Sequence, residues 1–225
     1  MARFLVEGVQ LFHKTFPMIL CVLAGCAASP PQSKYTPPNA QTIDALRGKN
    51  VELLIMPTPK FVQIDGGDQA LMTVGALFGA IGGGIGAAAV IAHSESRGQA
   101  LVKQDGIADP TAELTDKIRD ILTQKYGSSL VDSGARYSVV VSTDSWALAK
   151  DTVVLNTSVK INDTTVLKGK KPEVVASGIC RYRSPETKDG PKVDDLLANN
   201  GDKLKQTLSA ALDRCVQDYR DKLFL

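Results

Sequence analysis

The stretch Thr152-Val153-Val154-Leu155-Asn156-Thr157-Ser158-Val159-Lys160-Ile161 carries Val153, Leu155, Val159 and Ile161 at alternate positions. A period of two puts them on one side of an extended chain, the pattern of a half-buried strand. Two similar runs flank it. Residues 137–146 contain Val139-Val140-Val141, and residues 174–182 read Val174-Val175-Ala176-Ser177-Gly178-Ile179-Cys180-Arg181-Tyr182. Asn162-Asp163-Thr164-Thr165 is a turn signal between strands. Short connections predict that the three runs pair as an antiparallel meander.

Working outward, Val51-Glu52-Leu53-Leu54-Ile55-Met56 reads as a first buried strand, ended by Pro57 and Pro59. Residues 60–68 read as loop. Asp109-Pro110 has the form of an N-cap followed by proline in the first helical turn. The helix it opens carries Leu114, Ile118, Ile121, Leu122 and Tyr126 on one face, and Gly127 is a good stop. A final helix over 193–223 carries the stripe Leu197, Leu204, Leu208, Ala211, Leu212, Cys215, Val216 and Tyr219. The expected fold class is α+β: an antiparallel sheet of about four strands with helices packed on one face, plus a glycine-rich apolar helical segment.

That segment, residues 74–92, holds nineteen residues without a charge. Gly75, Gly79 and Gly83 recur every four positions, as do Gly82 and Gly86. On a helix they would form a flat strip suited to close helix–helix approach. The segment is similar to glycine-zipper stretches of outer-membrane lipoproteins. Three readings stand in this order: a helix inside or against the domain, a membrane-inserting or self-associating element, and a loop. Each interior glycine costs about 1 kcal/mol of helix stability relative to alanine, which counts against a stable isolated helix.

The N-terminal part supplies an address. Arg3 and Lys14 precede the apolar run Phe16-Pro17-Met18-Ile19-Leu20-Cys21-Val22-Leu23-Ala24-Gly25. About ten residues are too few to span a bilayer but suit a secretory signal. Leu23-Ala24-Gly25-Cys26 is similar to the bacterial lipobox, which implies that residues 1–25 are removed and Cys26 is lipidated. The long charged start, with Glu7 in it, leaves open a true start further in. Ala27 in place of aspartate implies, by that resemblance, the outer membrane facing the periplasm ahead of the inner membrane. Residues 26–45 then read as a lipidated N-terminus and proline-rich tether, and 46–225 as a single domain.

The net charge is +2 over 225 residues, with both signs mixed. No basic stripe with interleaved aromatics favours nucleic acid as a partner. Of four cysteines, Cys21 leaves with the signal and Cys26 takes lipid, so Cys180 and Cys215 remain. Alternation puts Ala176, Gly178 and Cys180 on one strand face, where small residues admit a helix closely. A Cys180–Cys215 disulfide is therefore expected, stapling the last helix to the sheet. Across 35 positions the loop-entropy relation values it at about 3.8 kcal/mol.

Candidate chemistry is thin. His93 has nothing resembling a nucleophile elbow around Ser94 or Ser96, and reads as a solvated residue at a helix end. Asp65, Asp68, Asp194 and Asp195 read as capping and solubility residues. Gly84-x-Gly86-x-x-Ala89, with Asp105 downstream, matches a dinucleotide fingerprint superficially, but no second strand follows. Lys168, Lys170, Lys171, Arg181 and Arg183 read as a solvated strand edge ahead of an anionic-lipid site. Trp146 reads as packing at the sheet end ahead of a recognition aromatic. No catalytic residues, metal ligands or cofactor are assigned.

The chain resembles a group of small proteobacterial lipoproteins in its lipobox, Leu54-Ile55-Met56-Pro57, the glycine-rich stretch, Asp109-Pro110 and Lys125-Tyr126-Gly127. The Trp146 strand, Gly178-x-Cys180, Leu196-Leu197-Ala198-Asn199-Asn200-Gly201 and Cys215 complete the resemblance. The layout also looks, more distantly, like envelope accessory lipoproteins. These resemblances imply a non-enzymatic accessory protein, membrane-bound through Cys26, with an envelope protein partner or further copies of itself. A membrane-inserting or self-associating lipoprotein is the alternative, and an enzyme on cell wall or lipid ranks last.

Overall fold

The computed structural model describes residues 33–64, 85–184 and 191–224. These belong to one compact unit, Ser33–Leu225. In chain order its elements are β1 (Lys34–Thr36), α1 (Ala40–Leu46), β2 (Asn50–Ile55), β3 (Val62–Ile64), α2 (Ile85–Asp105) and α3 (Pro110–Asp120). After them come β4 (Ser129–Val131), β5 (Tyr137–Ala149), β6 (Thr152–Lys168), β7 (Lys171–Arg183) and α4 (Val193–Lys222). The fold is α+β, as expected, but its sheet has seven strands rather than about four and is mixed rather than antiparallel.

The strand order is β1-β7-β6-β5-β2-β4, with β3 also on β5. The meander β5-β6-β7 is antiparallel throughout, as is β1 on β7. By contrast β2 and β3 lie parallel to β5, and β4 lies parallel to β2. The physical reason lies in the connections. Parallel neighbours need a long crossover, and α2 and α3 lie between β2 and β5 in the chain. The extra strands β1, β3 and β4 have three residues each and owe their form to their neighbours' ladders, not to a pattern of their own.

Two boundaries move. The tether reading covered residues 26–45, and within that span the structure places β1 and most of α1, which ends at Leu46. Asn39 caps α1 by accepting from the Thr42 backbone at 2.8 Å. The turn expected at 162–165 does not form. Instead β6 runs on to Lys168 with register shifts around Asp163, and the chain reverses at Gly169, whose φ is +70°. Asp163 braces that irregularity: it accepts from the Thr165 hydroxyl at 2.6 Å and from Arg136 at 2.9 Å. Their hydrogen bonds, led by Thr165, lower its carboxyl to about 2.

The Asp109 carboxylate caps α3, accepting from Thr111 N at 2.7 Å, and Leu114, Ile118, Ile121, Leu122 and Tyr126 are all buried. The last turn, Ile121–Lys125, opens to a π-helix before Gly127 ends it at φ +61°. α4 is not one continuous helix. Ala198 leaves helical geometry, and Asn199, Asn200 and Gly201 turn left-handed at φ 53°, 58° and 69°. Asparagine and glycine are the residues that tolerate this region, so the sequence Ala198-Asn199-Asn200-Gly201 accommodates the kink locally. α3 packs on β5 and β2, and α4 on β6 and β7.

The expected glycine-rich apolar helix is not found as such. Its residues 74–84, with Gly75, Gly79, Gly82 and Gly83, lie outside the described residues. Gly86 falls in the first turn of α2, which continues to Asp105 through His93, Glu95, Arg97, Lys103 and other polar residues. Among the described residues no helix is long and apolar enough to cross a membrane. α2 runs along β3 through Gly98, where a Cβ would stand 2.1 Å from the Phe61 carbonyl oxygen.

Candidate interaction face

Alternation along β6 and β7 sorts their residues onto two sides of the sheet. On the side of α4 lie the pairs Thr157↔Cys180, Val159↔Gly178 and Ile161↔Ala176. All six are buried, and Gly178 is required by its neighbours. A Cβ there would be 2.9 Å from the Tyr219 ring and 3.0 Å from that of Tyr35. Tyr219 bonds through its hydroxyl to Thr157 at 2.8 Å and accepts from Cys180 N at 3.3 Å. Burial pushes its phenol well above the usual tyrosine range. Tyr35 is raised as well, by burial first and then by Asp218, to which it donates at 3.1 Å. Cys180 and Cys215 are bonded across a Cα–Cα distance of 5.5 Å. This is the close helix approach that Ala176, Gly178 and Cys180 imply.

The opposite side carries Asn156↔Arg181, Ser158↔Ile179 and Lys160↔Ser177. On β5 a bulge between Thr143 and Ser145 inserts Asp144 as an extra residue. Bulges re-aim side chains. Here Asp144 is turned onto Ser142 and Ser158, accepting from their hydroxyls at 3.0 and 3.1 Å, while the two hydroxyls are 2.7 Å apart. Asn156 donates to Ser145 at 2.8 Å. Asp144 and Lys160 are exposed, Val140, Ser142, Asn156 and Asn162 are half-buried, and Ser138 and Ser158 are buried. Toward residues 147–154 the same side is closed, with Ala147, Ala149 and Val154 buried. The open part is thus a patch of hydroxyls and amides with one acid at its centre and Lys160 and Arg181 beside it. Such a surface offers many hydrogen bonds at fixed spacing, which suits recognition.

The other singled-out residues are dispersed. Cys26, Asp65 and Asp68 lie outside the described residues. His93 is exposed, within α2 rather than at its end. Asp105 ends the helix that Gly86 begins, so the superficial fingerprint leads into no second strand. Asp195 accepts from Lys192 N at 3.1 Å and caps α4. Trp146 is a core aromatic: it donates to Pro59 O at 2.7 Å and packs 4.8 Å from the Phe61 ring centre. It also borders a cavity of about 180 Å³ with Ile107, Pro110, Leu208 and Leu212. The basic residues do not form one patch, since Lys168, Lys170 and Lys171 sit at the β6–β7 reversal while Arg181 and Arg183 lie at the far end of β7. Sequence reasoning missed the Asp144 cluster. Its signal was the polar run Ser142-Thr143-Asp144-Ser145, which interrupts the alternation between Val141 and Trp146.

No protein-family model matches the chain, and no curated protein does. Among solved structures it matches a single-substitution variant of the PelC dodecamer from Paraburkholderia phytofirmans. The two are 12% identical, with 85% of this chain and 96% of that chain covered and a TM-score of 0.33. A second crystal form of the PelC dodecamer from Paraburkholderia phytofirmans is 14% identical, with 68% and 82% covered and a TM-score of 0.27. At these scores the likeness does not establish a shared fold.

Proposed function

We propose that this chain is a lipid-anchored protein of the bacterial envelope, on the outer membrane facing the periplasm, that holds a partner protein on the open patch of its sheet. The observation that carries the reading is the Asp144 bulge. It sets the exposed Asp144, with the half-buried Ser142 and Asn156 beside it, on the side of the sheet away from α3 and α4. The anchor rests on Leu23-Ala24-Gly25-Cys26. The reading is of binding without turnover, because the patch offers hydrogen-bonding groups and no histidine, and His93 stands on α2. The alternative is self-association, with the partner a second copy.

Photo-crosslinking in intact cells tests the patch. A crosslinker at Lys160 or Ser142 should capture one protein, and one at Arg214, exposed on α4, should not. Capture of the chain itself selects the alternative, and equal capture from both sides rejects the patch. Palmitate labelling that persists in Cys26→Ser rejects the anchor.

A further inference from the structure

The β6–β7 hairpin outruns the sheet that supports it. β5 pairs with β6 only as far as Asp163, and β1 reaches β7 only at Ser177. Thr164 is still tied to Ala135 and Arg136, and residues 165–172 project beyond these neighbours, with Leu167 opposite Pro172, Lys168 opposite Lys171 and a register shift between Asp163 and Leu167. Isolated two-stranded ribbons are marginal in water, and exposed apolar side chains on one bury nothing within the fold. Yet Val166 is 42% exposed, Leu167 61% and, at the ribbon's base, Val174 51%. Beside them stand the exposed Lys168, Lys170 and Lys171. Glu173 is the one acid in the ribbon, and Lys168 already engages it at 2.6 Å.

A solvated strand edge accounts for the lysines but not for the apolar side chains between them. Apolar groups that enter the acyl boundary, flanked by lysines that meet phosphate headgroups, are the chemistry of attachment to an anionic bilayer. We propose that the ribbon 164–174 is a lipid-contacting finger, in which Leu167, Val166 and Val174 enter the interface of an anionic membrane and Lys168, Lys170 and Lys171 bind its headgroups. The proposal is independent of Cys26 and of the partner patch.

The test uses the full chain carrying Cys26→Ser, Trp146→Phe and Leu167→Trp, so that the fluorophore reports on the finger alone. Vesicles of phosphatidylglycerol and phosphatidylcholine should shift its emission to the blue, and vesicles of phosphatidylcholine alone should not. Adding Lys168→Glu, Lys170→Glu and Lys171→Glu should weaken the response roughly tenfold or more, with unchanged circular dichroism. Three results overturn the proposal: no shift while the chain co-sediments with the vesicles, an equal shift on neutral vesicles, or no shift on vesicles while a crosslinker at Leu167 captures an envelope protein in cells.

Discussion

The two sides of β6 are built from one stretch of chain and treat their residues oppositely. Leu155, Thr157, Val159 and Ile161 are fully buried beneath helices and ordered by Tyr219 and the disulfide. Asn156 and Lys160, one residue out of step, are half-buried and exposed respectively, and Ser158 between them is buried with its hydroxyl donated to Asp144. The difference teaches where each side gets its order. One side is held by area removed from water and a covalent staple. The other is held by the backbone ladder and by the bonds that Ser142 and Ser158 donate to Asp144.

The largest way to break that contrast is to remove the staple. Cys180→Ala with Cys215→Ala should lower the unfolding free energy by about 4 kcal/mol, read as a shifted urea midpoint under oxidising conditions. Next, Leu155→Ala on the covered side should cost about 3 kcal/mol, because it leaves a cavity in a packed core. A third change sharpens the comparison at the sheet's end. The Asp163 carboxyl lies lower in the folded state, at about 2, than its ordinary 3.8. Its contribution is therefore fully present above about pH 4 and is lost as the pH falls toward 2. Asp163→Asn should flatten the stability curve across that window, as followed by acid titration of the circular dichroism signal. The smallest effect is expected on the open side. Lys160→Ala should change stability by less than about 0.5 kcal/mol while weakening capture of the partner. A loss of several kcal/mol there would show that the open patch belongs to the core.

Legibility followed the range of the forces. Asp109-Pro110 and Gly127 bound the α3 segment because capping and left-handed backbone are local preferences. The Cys180–Cys215 pairing was readable because alternation in a strand and a three-four stripe in a helix each assign a face independently. The three-residue strands were not readable. Val62-Gln63-Ile64 lies in a stretch read as loop, and Lys34-Tyr35-Thr36 in one read as tether, and each is extended because β5 or β7 supplies hydrogen bonds to it. Asn162-Asp163-Thr164-Thr165 has turn composition, yet Arg136, distant in sequence, bonds Asp163 and Thr164 there and the chain reverses only at Gly169. The Asp144 cluster needed a bulge, and a bulge is a property of two paired strands.

By itself the sequence determined the class of fold, the antiparallel meander and the cysteine pair, since each rests on the period or chemistry of neighbouring residues. Only the tertiary structure decided that β2, β3 and β4 join in parallel, that Asp144 meets Ser142 and Ser158, and that the β6–β7 ribbon outruns its support. Those three depend on register between strands remote in the chain, and register is set by the fold's sum of contacts rather than by any one segment's pattern.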